Sequence, residues 1–256
     1  MNVLAVSAHP DDLEILCGGT LRLMVERGND VTMTNIARGD AGSFHHAPDR
    51  TAGIRAREGA AVIGAQYVEG VVSDGRVNSA DEAQREMVVD LIRRVRPDVI
   101  ITHAANDYMP DHVGVSKLVF DAAFIATLPN YLTTHPAHSQ VAVIYSMDTM
   151  AGVEFLPTEF VDITDTLQTK LNAFRAHESQ ISWLKEHDHI DMLEQIEITA
   201  RLRGFQSGVH AAEGFTISRT RLRTPAARPA AVTTFASVDS SGRSHADVMP
   251  DADTAL

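Results

Sequence analysis

The chain has 256 residues, of which 22 are basic and 34 acidic, and its formal net charge is −12 at pH 7. This surplus of negative charge disfavours binding to a phosphate backbone, so we exclude nucleic acid as the main partner. No apolar run approaches the ~20 residues of a membrane span and the N-terminus carries no basic leader, so we expect a cytoplasmic protein with no membrane span.

The first predicted strand, residues 2–8, is short and apolar, which is typical of a parallel strand buried on both faces. The residues that follow it are polar and capable of binding a metal or transferring a proton: His9, Asp11, Asp12 and Glu14. Pro10 suits the first turn of a helix over 11–27. Adjacent carboxylates beside a histidine repel one another unless a cation or a proton offsets them, so we predict a functional cluster here and not a simple helix start.

The rest of the chain alternates between predicted strands and helices. We predict strands over 30–37, 66–68, 98–102, 140–147 and 160–163, and helices over 51–64, 80–95, 112–126, 164–180 and 189–203. This alternation indicates right-handed crossovers and therefore an α/β fold with a mostly parallel, doubly wound sheet flanked by helices. No Gly-x-Gly-x-x-Gly motif follows the first strand, which argues against a dinucleotide-binding site.

A second polar cluster follows the strand over 98–102 and precedes the helix over 112–126. It contains Asp107, Tyr108, Met109, Asp111 and His112. Together, His9, Asp12 and His112 would supply two nitrogens and one carboxylate oxygen. This ligand set leaves a fourth position open, as in catalytic zinc sites, and it also suits Fe²⁺.

The composition changes near residue 224, after which Ala, Pro, Ser, Thr and Asp dominate. We therefore predict one folded domain over 1–223 and a mobile tail over 224–256. Homo-oligomers are common among soluble enzymes, and this is the only basis for expecting one here.

The two polar motifs resemble those of the LmbE-like, or PIG-L, family of zinc-dependent de-N-acetylases. Ala8 to Glu14 matches the family pattern Ala-His-Pro-Asp-Asp-x-Glu in full, and Pro110-Asp111-His112 matches the end of the second pattern. Weaker family-like features follow in the expected order: Arg38-Gly39-Asp40, Ile54-Arg55, Glu58, Lys170, Ala176 to Gln180, and Glu213-Gly214-Phe215. The resemblance covers about residues 1–220 and implies a Rossmann-like fold.

By this resemblance, His9, Asp12 and His112 would hold Zn²⁺, and Asp11 would be the general base. Asp111 would accept a ring N–H from a histidine or steady its loop, and Glu14 is a candidate for the same orienting role.

Three further residues are candidates for contacts with the substrate. Arg38 and Arg55 could bind hydroxyl or phosphate groups, although arginines are more often found in surface ion pairs. Among the remaining histidines, we select His210 as the best candidate to reach the pocket.

Met109 departs from the family pattern, which has His at this position. Methionine can neither donate a hydrogen bond nor carry a proton. Either another group (Tyr108, Asp107, Arg38 or a C-terminal histidine) fills the role, or the substrate is reactive enough without it, or the enzyme is weak. We favour the first explanation.

The resemblance thus implies a metal-dependent hydrolase that removes an N-acyl group, most simply acetyl, from an amino-sugar-containing small molecule by means of a zinc-activated water. Two alternatives remain open: an amidohydrolase acting on a non-sugar natural-product amide, and a metal-binding protein with weak catalysis.

Overall fold

The computed structural model describes residues 1–42, 52–187 and 189–220. Its strands are β1 (Asn2–Ser7), β2 (Asp30–Asn35), β3 (Gln66–Val68), β4 (Val99–Thr102), β5 (Val143–Met147), β6 (Glu159–Asp162) and β7 (Ala212–Ile217). Its α-helices are α1 (Asp12–Glu26), α2 (Ala52–Ile63), α3 (Glu82–Val95), α4 (Pro110–Ile125), α5 (Leu167–Arg175), α6 (Glu178–His187) and α7 (Met192–Ser207). The segment 224–256, predicted to be a mobile tail, lies outside the described residues.

The strands form one seven-stranded sheet in the order β3-β2-β1-β4-β5-β7-β6. The first five are parallel, and β7 runs antiparallel between β5 and β6. The predicted mostly parallel, doubly wound α/β fold is therefore confirmed. Val6 of β1 pairs with Thr34 of β2 and with Thr102 of β4. The carboxyl ends of these three strands consequently meet at one edge of the sheet.

The sheet has an apolar core on each face. Val3 and Ala5 of β1 pack on the face covered by α1, α2, α5 and α7, whereas Leu4 and Val6 pack on the face covered by α3 and α4. All four are 0% exposed. Full burial of a large aliphatic side chain contributes about 1.5–3 kcal/mol. Because both faces of β1 are covered, its four central residues are all apolar rather than alternately apolar and polar.

The sequence did not predict β7. Its segment contains Glu213 and Gly214, both poor strand formers, which hide the alternation. The buried carboxylate of Glu213 is stabilised by partners that lie far away in the sequence: the ammonium of Lys170 and the backbone N–H groups of Gly19 (3.0 Å) and Thr20 (2.7 Å). Tertiary contacts therefore overcome the low strand propensity.

The single helix predicted over 164–180 is wrong, because the chain breaks between α5 and α6. The N–H of His177 bonds to the carbonyl of Phe174 (2.9 Å), which closes a tight turn, and the carbonyl of His177 accepts from the N–H of Ile181 (3.1 Å), which begins α6. The break turns the His177 side chain into the interior, where it is 1% exposed. None of the described helices combines the length and apolar content needed to cross a membrane.

Candidate metal centre and active site

The two sequence motifs meet at the carboxyl edge of the sheet, where β1 leads into α1 and the loop after β4 leads into α4. His9, Asp12 and His112 each present one ligand atom there, and these atoms lie within 4.8 Å of one another. Nε2 of His112 is 3.3 Å from Oδ1 of Asp12, and Nδ1 of His9 is 3.7 Å from its Oδ2. Two imidazoles thus face the two oxygens of a single buried carboxylate.

The orientation of His9 is fixed by Asp111. Nε2 of His9 lies 3.0 Å from Oδ2 of Asp111, which also accepts from the N–H of Gly75 at 2.7 Å. Because an ionised carboxylate only accepts, Nε2 of His9 donates to Asp111 and Nδ1 is left facing Asp12. Oδ1 of Asp111 accepts from the N–H of Val77 (3.2 Å), so the same carboxylate anchors the loop after β3.

Asp107 lies against the other ring nitrogen of His112, although the two facing atoms lack good hydrogen-bond geometry. Nδ1 of His112 lies 3.1 Å from Oδ2 of Asp107, and Oδ1 of Asp107 accepts from the N–H of Met109 at 3.0 Å. This arrangement directs Nε2 of His112 toward Asp12. Nε2 is buried and has no hydrogen-bond partner in the part of the chain that the structure describes.

These donors fit a divalent cation. An unpaired buried nitrogen is costly, and two histidines oriented by carboxylates around a third carboxylate form the usual surroundings of a catalytic zinc. The identity of the metal does not follow from this geometry, since two nitrogens and one oxygen also suit Fe²⁺.

The sequence analysis missed His103, which the structure places against two of the three residues. Its Nε2 accepts from the N–H of Ala8 (2.9 Å) and lies 3.2 Å from Oδ2 of Asp12. Its ring stacks on that of His112, with 3.8 Å between centroids and 16° between planes. His103, Asp107 and His112 form a second group of possible ligand atoms. A signal was available, since His103 directly follows the apolar strand β4 just as His9 follows the end of β1.

The electrostatics of the metal-free site set Asp11 and Asp12 apart. Burial, together with the charge of Asp12, raises the pKa of Asp11 to about 8, although His177 and His9 oppose this shift. Burial alone would also raise the pKa of Asp12, but His112 and His103 outweigh it and hold that pKa well below its usual range. Asp12 is therefore a carboxylate that remains ionised, and Asp11 is a neighbouring carboxyl group with a readily transferred proton.

Asp11 also has an unusual backbone. It caps the N-terminus of α1 with φ 101° and ψ −30°, and its side chain makes no capping hydrogen bond. A positive φ outside glycine costs about 1–3 kcal/mol and persists only where surrounding contacts enforce it. An aspartate at this position usually caps the helix with its side chain. Asp11 does not, so its carboxylate is available for another role.

The remaining candidates lie at different distances from this cluster. Tyr108 is 73% exposed, and its ring stands edge-on to that of His112 with 6.3 Å between centroids. Met109 is half-buried at the N-cap of α4. Glu14 lies against His177, with 3.3 Å between Oε1 and Nε2, and not among the three possible ligands.

Three residues selected from the sequence lie outside the cluster. Arg38 contacts Asp40 (Nε to Oδ2, 2.6 Å) and Ser73 (Nη2 to Oγ, 2.7 Å), and Arg55 donates to the hydroxyl of Ser179. His210 is exposed in the turn between α7 and β7.

The chain is similar in sequence and in fold to known proteins. Residues 4–123 match the family model described as PIG-L, GlcNAc-PI de-N-acetylase. A diacetylchitobiose deacetylase from Thermococcus kodakarensis is 29% identical over 194 residues, covering 70% of this chain and 69% of that protein. A 1D-myo-inositol 2-acetamido-2-deoxy-alpha-D-glucopyranoside deacetylase from Saccharopolyspora erythraea is 26% identical over 245 residues, covering 72% and 79%. The crystal structure of the conserved protein TT1542 from Thermus thermophilus has a TM-score of 0.75 and 26% identity, covering 89% and 99%.

Proposed function

We propose that the chain, whose residues 4–123 match the PIG-L de-N-acetylase family model, is a metal-dependent hydrolase that removes an N-acetyl group from an amino-sugar-containing small molecule. One observation carries the proposal: His9, Asp12 and His112 converge beside Asp11 at one edge of the sheet. The sugar is supported by the relatives, which are named as deacetylases of diacetylchitobiose and of a 1D-myo-inositol 2-acetamido-2-deoxy-alpha-D-glucopyranoside.

His9, Asp12 and His112 would hold the metal, and zinc is the ion that the ligand types favour. When bound, the ion would supply Lewis acidity, lowering the pKa of water to ~7 and polarising the amide carbonyl. Asp111 and Asp107 would keep the two imidazoles in the tautomers that binding requires.

Asp11 is the residue that we propose to move the proton. Its carboxylate would accept a proton from the attacking water as the water oxygen bonds to the amide carbon. When the carbon–nitrogen bond breaks, Asp11 would return that proton to the departing nitrogen, which leaves as the amine while the acyl group leaves as acetate. Because Asp11 directly precedes Asp12 in the sequence, the proposed base lies next to a proposed metal ligand.

Three residues outside the proposed metal ligands would contact the rest of the substrate. Tyr108 is exposed beside His112 and carries a hydroxyl that can donate to the amide oxygen, a role that Met109 cannot perform. Arg38 and Arg55 would bind hydroxyl or phosphate groups of the sugar.

The test compares metal content with turnover in two variants. Asp11→Asn keeps the size of the side chain and tolerates a positive φ, so we expect it to retain the metal and lose nearly all turnover. His9→Ala should lose both. Metal content is measured by elemental analysis, and acetate release is measured with and without a chelator. Retention of turnover in Asp11→Asn would overturn the assignment of the base.

The substrate class is tested with a panel of N-acetylglucosamine derivatives beside simple N-acyl amines. Faster hydrolysis of the simple amines would favour the alternative amidohydrolase on a non-sugar amide. Metal binding without hydrolysis of any member would favour a metal-binding protein with weak catalysis.

A further inference from the structure

A buried pair of polar side chains lies at the first turn of α1, which directly follows Asp11 in the sequence. Oε1 of Glu14 and Nε2 of His177 are 3.3 Å apart, and the two residues are 2% and 1% exposed. Neither atom has a partner in good hydrogen-bond geometry among the described residues. Burying these two polar groups costs free energy of folding, because each loses its hydration. This cost indicates a functional reason for the pair.

Three separate elements build this pair. Glu14 lies on α1, three residues after Asp11, so both carboxylates project from the first turn of one helix. His177 comes from the break between α5 and α6. Gly59 on α2 completes the enclosure, because a Cβ at this position would overlap Oε1 of Glu14. The missing side chain at Gly59 is what gives the Glu14 carboxylate its space.

The histidines of the site divide between two carboxylate groups. His9, His103 and His112 all contact Asp12. His177 instead contacts Glu14, and it also interacts electrostatically with Asp11. Three carboxylates at the start of α1 repel one another, and the imidazole of His177 adds to that of His9 in offsetting the repulsion on Asp11.

We propose that Glu14 and His177 are positioning residues for Asp11. Nε2 of His177 faces Oε1 of Glu14 at 3.3 Å, and the pair holds the carboxylate of Asp11 in the orientation that receives the proton of water. This inference rests on the proposed function, because it takes Asp11 as the base.

The kinetic test uses Glu14→Gln, His177→Gln and Gly59→Ala. We expect each to lower kcat by ~10–100-fold, as other groups that orient an active-site residue do, with KM and bound metal unchanged. Gly59→Ala keeps both polar groups and only displaces them, so a loss in this variant identifies placement as the cause. The double variant Glu14→Gln/His177→Gln should lose no more than the worse single variant, because the two residues act as one unit.

A matched control pair exists on the far side of the sheet. Nδ1 of His135 lies 3.0 Å from Oδ2 of Asp90, a carboxylate of α3 that belongs to no part of the site. His135→Gln and Asp90→Asn therefore remove the same chemistry elsewhere and should leave kcat unchanged. Thermal unfolding of every variant identifies any that fail to fold.

A spectroscopic experiment tests whether His177, Glu14 and Asp11 interact, and it does not depend on activity. In protein labelled with ¹⁵N-histidine, the His177 signals are assigned by their loss in His177→Gln. Asp11→Asn and Glu14→Gln should each shift these signals, and Asp90→Asn should not.

The outcomes are distinct. Unshifted His177 signals in Asp11→Asn, or full kcat in both Gly59→Ala and His177→Gln, would overturn the proposed pair. Loss of metal in parallel with kcat would also overturn it, because the residues would then support the ligands and not the base. If the wild-type protein hydrolyses no member of the substrate panel, the proposed function fails, and the His177 signals still decide whether the three groups are coupled.

Discussion

Oδ2 of Asp111 lies 3.0 Å from Nε2 of His9 and also accepts the N–H of Gly75 at 2.7 Å. One carboxylate thereby fixes the imidazole tautomer at the end of β1 and the position of the loop that follows β3. A residue of the second motif thus controls a proposed metal ligand of the first.

Asp111→Asn tests this coupling. The amide can still accept from Gly75, but it removes the charge that holds the proton on Nε2 of His9. We expect metal affinity to fall by ~10–100-fold, measured by competition with a chelator of known affinity. Asp121→Asn is the matched control, since Asp121 lies on the same helix and pairs only with Lys117 at the surface (2.5 Å). Equal affinities of Asp111→Asn and wild type would contradict the role of Asp111.

Metal binding should release protons. In the metal-free protein, burial lowers the pKa of His9, but the contacts with Asp111 and Asp12 outweigh burial and raise it to about 11. In His112, Asp12 and Asp107 likewise outweigh burial and raise the pKa to about 9. Both imidazoles are therefore protonated at neutral pH, and both must be neutral to bind metal, so affinity should increase as pH rises through about 9 and toward about 11.

Calorimetric titration of Zn²⁺ in buffers of different ionisation enthalpy measures the number of protons released. Asp111→Asn, which removes one of the charges that raise the pKa of His9, should release fewer. A binding enthalpy independent of the buffer would contradict this prediction.

The hydroxyl of Tyr108 should take the role left open by Met109. Removing one donor to a developing oxyanion typically costs ~10²–10³ in turnover, so Tyr108→Phe should lower kcat on that scale with bound metal unchanged. Met109→His in the Tyr108→Phe background should restore part of the loss, because residue 109 precedes His112 by one turn at the start of α4. Full kcat in Tyr108→Phe would exclude the hydroxyl as the donor.

The buried ion pair between Lys170 and Glu213 should dominate the stability of the β7 region. Lys170→Met leaves the Glu213 carboxylate buried without its cation, so we expect the free energy of unfolding to fall by about 3–5 kcal/mol in urea titrations. Adding Glu213→Gln to that variant should recover part of the loss. Lys117→Met, which breaks an exposed pair with Asp121, is the control and should cost at most about 1 kcal/mol. A similar cost for both lysines would show that burial of the pair is unimportant.

The sequence by itself determined the fold class and the main cluster. Short apolar runs alternating with amphipathic ones are sufficient to predict a parallel sheet, and parallel strands carry their carboxyl ends to one edge. His9, Asp12 and His112 could therefore be placed together from their positions at two strand ends, although about a hundred residues separate the motifs. Their identity as possible ligands follows from residue type, which the sequence states directly.

Only the tertiary structure decided which further side chains lie against the residues of that cluster. His103 gained its contacts because β4 pairs beside β1, and His177 meets Glu14 because the predicted helix over 164–180 breaks at residue 177. His210, selected from the sequence, is instead exposed. A one-dimensional pattern records periodicity along a single element, whereas these contacts depend on side-chain direction and on the packing of elements far apart in the chain. That is why the proposed ligands and the role of Asp111 could be found in the sequence, whereas the contacts of His103 and His177 could not.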